Sequence, residues 1–131
     1  MDLSELRTDK EKVEGVWLKY GEDAEFFIAS TESKTYTKAL GKLTKKYQPH
    51  KVRNDPATQL KIAKEAMAEA LLLDFRGITD GGKPLKNTIE NRRTILEVDA
   101  VRSWIADQAQ DIANFQTEGE SADAADLKSD S

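Results

Sequence analysis

The stretch LLLDFRGITDGGKPLKNTIENRR, residues 71–93, lies in the middle of the chain and admits two readings. Its glycines and lysine, from Gly77 to Lys83, have the spacing of the phosphate-binding template G-x-x-x-x-G-K-[ST]. In that template the glycines let backbone amides approach phosphate and the closing hydroxyl binds magnesium. The hydroxyl position here is Pro84, which has neither a hydroxyl nor an amide hydrogen. The template also demands a strand before the loop, whereas residues 57–75 are rich in Ala, Leu, Met, Glu and Lys and read as one long helix. The segment is therefore expected to end a helix and turn the chain. Gly77 would supply the left-handed closing conformation, and Asp80-Gly81-Gly82 a tight turn.

Working outward, Asp55-Pro56 provides an N-cap followed by proline at the first helical position, where its missing amide costs nothing. Leu60, Ala63, Met67, Ala70, Leu71 and Asp74 share one stripe of this helix. Ile62, Ala66 and Leu73 widen it enough to make this the central core helix. Upstream, VEGVWLKY (13–20) and EFFIAS (25–30) are rich in β-branched and aromatic residues and flank the turn composition of 21–24, which predicts a hairpin. From Thr31 the period changes: Tyr36, Ala39, Leu40, Leu43 and Tyr47 fall at helical spacing. That helix is capped by Ser33 or Thr31 and stopped by Gln48-Pro49. Downstream, Thr88 can cap a helix carrying Ile89, Arg92, Ile95 and Leu96. Asp99 can cap another running through Val101, Trp104, Ile105, Ala109, Ile112 and Phe115. The expected fold class is α+β and predominantly α-helical, an N-terminal β-hairpin packed on about four helices.

The chain's 131 residues suit one domain with one modest core. With no cysteine there is no disulfide framework, thiolate metal site or cysteine nucleophile. The charged start, MDLSELRTDKEKVEG, does not read as a secretory signal, and no apolar run approaches the ~18 residues needed to cross a bilayer. The net charge of −4 resides in residues 116–131, where Glu118, Glu120, Asp123, Asp126 and Asp130 face Lys128 alone. With Leu127 as its one large aliphatic residue, that end is expected to be a disordered acidic tail. The expected organisation is a flexible N-terminus (1–12), a single folded domain (13–115) and the tail (116–131).

Catalytic constellations are hard to assemble from this chain. His50 is the single histidine and sits among Pro, Lys, Val and Arg, which suits a surface or hinge position better than acid-base work. Asp74 and Asp80 lack the alternating oxygen-ligand spacing of a calcium loop. The letters DFRG occur without the glycine-rich loop and catalytic loop of a kinase. No metal or cofactor is expected. The charged feature that stands out is basic: Lys34, Lys38, Lys42, Lys45, Lys46, Lys51 and Arg53 lie between residues 33 and 54 with no acid among them. Such a stripe could neutralise phosphates, although no recognition-helix pattern accompanies it. It could equally meet an acidic protein, including another copy's tail, or serve as a solvated face.

Three segments together resemble the tail assembly chaperones of long-tailed bacteriophages and prophages: GVWLKYGEDAEFFIAS, LLLDFRGITDGGKPLKNTIENRRTIL and WIADQAQDIANF. Trp17, Asp74, Phe75, Gly77, Ile78, Gly82, Pro84, Asn91, Leu96, Asn114 and Phe115 carry the resemblance, with Phe75 standing where tryptophan is often expected. It implies a non-enzymatic protein of the host cytoplasm, absent from the mature virion, that keeps the tape-measure protein soluble while tail-tube protein polymerises. Tail-tube protein would be a further partner, and a longer frameshifted product often accompanies such proteins. A homo-oligomer is compatible with coating a long partner. Candidate contacts are the aromatics Trp17, Phe26, Tyr36 and Tyr47 and the lysines Lys38, Lys42 and Lys45. Two alternatives stay open: a small nucleic-acid-binding regulator using the basic helix 34–53, and a structural tail or head-completion component.

Overall fold

The computed structural model describes residues 8–47 and 55–116. The expected hairpin forms as β1 (Val16–Tyr20) and β2 (Ala24–Ile28), paired antiparallel with Trp17 opposite Phe27 and Leu18 opposite Phe26. Helix α2 (Lys34–Lys46) follows, after a short first turn α1 (Lys10–Val13), and α3 spans Pro56–Ala70. The expected caps are in place: the Ser33 hydroxyl accepts from the Tyr36 amide at 3.2 Å, and the Asp55 carboxylate accepts from the Ala57 amide at 3.1 Å. The α+β class, with an N-terminal hairpin and four main helices among the described residues, is the one expected.

The decisive stretch departs from expectation in one respect. The long helix stops at Ala70, and Leu72–Arg76 is a strand, β3, which pairs antiparallel with β2. The sheet therefore has three strands in the order β1-β2-β3. A run such as LLLDF is apolar enough for either state, and the partner decides. A two-stranded hairpin is marginal alone, and adding β3 sets Phe75 opposite Phe26 on the core face. Asp74 pairs with Phe27 and Leu72 with Ile28, so Leu73 is the extra residue of a β-bulge. Gly77 consequently caps no helix. It follows a strand at φ 76°, packed against the β1-β2 turn.

Beyond it, β4 (Thr79–Asp80) and β5 (Lys83–Pro84) form a miniature hairpin closed by Gly81 and Gly82, at φ 59° and 84°. The expected tight turn is thus present. A strand, β3, precedes the glycines where the composition of residues 57–75 predicts a helix, so this part of the phosphate-loop template is met. The loop is still not of that type: the segment pairs with itself instead of opening a helix, and Pro84 occupies the hydroxyl position.

Helix α4 (Ile89–Leu96) starts at the Thr88 cap, whose hydroxyl accepts from the Asn91 amide at 3.1 Å. Helix α5 (Asp99–Gln110) starts one residue earlier than expected. Its N-cap is Val98, and Asp99 instead bonds Arg102 at 2.6 Å, while Arg102 also donates to the Leu96 carbonyl. The last helix is also shorter than its apolar spacing implies. It breaks at Asp111 into a 3₁₀ turn (Ile112–Phe115), which buries Phe115 and leaves Ile112 exposed. Asn114 secures the break by donating to the Gln108 carbonyl.

The main core lies between one face of the sheet and α3, α4 and α5, with Phe26, Ile28, Met67, Leu71, Leu72, Leu96 and Ile105 at its centre. A second cluster of Leu43, Ile62 and Ala66 joins α2 to α3. Because α2 covers the Ile62 and Ala66 side, Leu60 is exposed despite its place in the expected stripe. Residues 8–12, placed by the sequence in a flexible N-terminus, are anchored in part: Thr8 bridges Gln116 and the Asp9 amide donates to the Phe115 carbonyl at 2.7 Å. Residues 1–7, the helix stop at Gln48-Pro49, His50, Lys51, Arg53 and residues 117–131 of the acidic tail lie outside the described residues.

Candidate functional site

The alternation of the strands sends two sets of side chains to opposite faces of the sheet. Leu18, Tyr20, Phe26 and Phe75 point to the core. Trp17, Lys19, Glu25, Phe27, Asp74 and Arg76 share the other face through the cross-strand register. The Trp17 and Phe27 rings lie 5.1 Å apart, tilted by 45°, and the Arg76 guanidinium sits 4.1 Å above the indole. Arg76 is held there by the Glu25 carboxylate at 2.8 Å. That hydrogen bond, more than the charge itself, lowers the Glu25 pKa and raises that of Arg76. Gly15 makes room for the arrangement, since a Cβ there would fall 2.4 Å from the Phe27 ring. The result is a half-buried aromatic pair with a fixed cation on top.

The candidate contacts therefore separate. Trp17 lies on this second face. Phe26 does not: it is 1% exposed and packs edge-on to Tyr20 and beside Trp104, so it presents no surface and is a core residue. Tyr36 is half-buried between the two core clusters, and burial raises its pKa. Tyr47 ends α2, half-buried, with Lys46 and Lys61 ammonium groups 5.8 and 5.5 Å from its ring centre. Lys38, Lys42 and Lys45 are exposed on α2 together with Lys34 and Lys46. Sequence reasoning missed Phe27 and Arg76. Their signal was the alternation in β2, and the strand at 72–76 had to be recognised before Arg76 could be placed beside Trp17.

Between α2, α3 and α4 lies a groove of about 430 Å³ lined by Lys42, Leu43, Lys46, Tyr47, Lys61 and Arg93, with Glu65 and Glu69 at its wall. Arg93 grips Glu65 through two bonds of 2.7 and 2.8 Å. These bonds, opposed in part by burial and aided by the Arg93 charge, hold the Glu65 carboxyl below the usual 4.5. A depressed folded-state pKa means the pair's stabilisation is complete above the unfolded value and is lost as pH falls through the folded one. Glu65→Gln should therefore flatten the acid side of the stability profile below about pH 4.5. Because Arg93 is half exposed, the loss at neutral pH should stay below about 1 kcal/mol. Urea unfolding of both proteins across the acid range measures it; parallel profiles would show that the pair contributes nothing.

A family model described as the YdaY prophage protein matches residues 31–126, nearly three quarters of the chain. No curated protein and no solved structure matches significantly. The matched region begins just before α2, so it contains the lysine face, the β3 to β5 segment and the last helices, while Trp17 and Phe27 precede it. The chain belongs to the YdaY prophage protein family.

Proposed function

We propose that this prophage protein is a non-enzymatic assembly chaperone that binds the tape-measure protein and keeps it soluble while the tail tube forms. Membership of a prophage family supports the setting, and the resemblance in the β3 to β5 segment and at Asn114-Phe115 supports the tail-assembly role. The observation that carries the reading is the outer sheet face, where Trp17 and Phe27 form a half-exposed aromatic pair with the Arg76 guanidinium held over the indole. Aromatic residues give large contact area at low entropic cost, and the apolar stripe of an amphipathic helix is a suitable partner for such a platform. A long helical tape-measure protein offers many such stripes. In this setting the chaperone acts in the host cytoplasm and leaves before the virion matures; a frameshifted form could add contacts to tube protein.

The test is co-expression with the tape-measure protein of the same prophage. The wild-type chain should raise its soluble yield and co-purify with it. Trp17→Ala and Phe27→Ala should each reduce recovery about tenfold, the effect of losing a central aromatic anchor of about 1.4 kcal/mol or more. Equal solubility with and without the chain, and no co-purification, would sink the proposal.

A second reading is favoured by one observation: α2 carries five exposed lysines and no acid along its 13 residues. Binding of nucleic acid through that face would be steeply salt-dependent. A titration of duplex DNA or RNA at two salt concentrations separates the two functions.

A further inference from the structure

We infer that the lysine face of α2 is a docking surface for the chain's own acidic segment, residues 117–131. The face is built and open. Lys34, Lys38, Lys42, Lys45 and Lys46 are all exposed, and among the described residues none of them forms an ion pair with a carboxylate. Lys46 leans on Tyr47 at the end of the helix, where Lys61 adds another positive charge. Neighbouring like charges on one helix repel, so an anionic occupant is stabilised there.

The same chain supplies one. Residues 117–131 hold Glu118, Glu120, Asp123, Asp126 and Asp130 against Lys128. Their point of departure is favourable, because Gln116 is bridged to Thr8, and Thr8 lines one cleft with Glu32 and Lys34 at the start of α2. The helix is 13 residues long, about 20 Å at 1.5 Å per residue. Fifteen further residues can extend up to roughly 50 Å, so the acids can reach every lysine on the face. Tethering at this distance gives a local concentration on the order of millimolar, enough to favour contacts that would be weak between separate molecules. The family match runs from residue 31 to residue 126 and so takes in both the basic helix and four of the five acids. Docking in this way screens the lysine stripe from other polyanions until one with more charge displaces the tail.

The absence of cysteine lets Ser129→Cys carry the only nitroxide label on the full chain. At low salt, α2 amides from Lys38 to Lys46 should lose NMR intensity selectively relative to the reduced label. They should recover in about 1 M salt, where the screening length falls to roughly 3 Å. Neutralising the tail (Glu118→Gln, Glu120→Gln, Asp123→Asn, Asp126→Asn, Asp130→Asn) should abolish the effect, as should Lys38→Gln with Lys42→Gln and Lys45→Gln. Undisturbed α2 signals, attenuation spread evenly over the surface, or attenuation that survives neutralisation would each overturn the inference. Mixing labelled, isotopically silent chains with unlabelled, ¹⁵N-enriched ones distinguishes a second copy. Attenuation of equal size in that sample would mean that the tail docks in trans, and the proposal as stated would fail.

Discussion

Gly77→Ala should cost about 3 kcal/mol or more, combining the strain of a left-handed residue with that of overpacking. The residue sits at φ 76°, and a Cβ built there would lie 1.8 Å from the Asp23 carbonyl oxygen and 2.8 Å from its carbon. That neighbour is backbone, the turn between β1 and β2, so it cannot rotate away. Either the hairpin lifts off β3 or β3 shifts its register, and each route breaks the three-stranded sheet. Gly82→Ala is the control: its φ is 84° but nothing lies within 4 Å of the new methyl group, so only the conformational cost of about 1–2 kcal/mol applies. Urea denaturation should show the midpoint falling much further for Gly77→Ala than for Gly82→Ala with similar slopes. Equal losses would mean that the close approach to Asp23 is not a constraint.

Phe26→Ala should destabilise the protein by about 3–5 kcal/mol, the usual cost of emptying a fully buried phenylalanine site. Its ring is 1% exposed and packs at 5.7 Å from Tyr20 and 5.9 Å from Trp104, linking the sheet to α5. Trp17→Ala, by contrast, removes a half-buried ring that touches Phe27 and Arg76 on the outer face, contacts worth about 1 kcal/mol each. Thermal and urea unfolding of the two variants should therefore rank Phe26 well above Trp17, with the order reversed in the co-purification experiment that tests the proposed function. A Trp17→Ala loss as large as that of Phe26→Ala would make the outer sheet face a structural element and remove the basis for its proposed role in partner binding.

Much of the architecture was legible because local chemistry acts over a few residues. Ser33, Asp55 and Thr88 cap helices where a hydroxyl or carboxylate precedes a helical period, and Gly81-Gly82 turns the chain because both residues adopt positive φ. The hairpin was legible from the β-branched and aromatic residues of 13–20 and 25–30 around the turn composition of 21–24, while its register came from the structure. The candidate site was only partly legible. Trp17 and the α2 lysines were identifiable from composition, but Phe26 looked equally available, since an aromatic residue in a strand gives no sign by itself of which face is covered.

Several boundaries depended on neighbours distant in sequence. Leu60 falls on an apolar stripe yet is exposed because α2 covers the Ile62 and Ala66 side, and Ile112 is exposed because the last helix breaks at Asp111 into a 3₁₀ turn. Asp99 could cap a helix but pairs with Arg102, which is itself turned toward the end of α4.

The α+β class, the hairpin, the principal helix caps and the glycine turn were written into the chain locally, because each rests on propensities and hydrogen bonds within a few residues. Pairing with β2, distant in sequence, is what makes residues 72–76 a strand. A leucine-rich run can satisfy its backbone either way, and β2 offers it an open edge with Phe26 waiting opposite Phe75. That one choice moved Gly77 from a helix end to a close contact with the hairpin turn and set Arg76 above Trp17. It thereby created the face on which the proposed function rests.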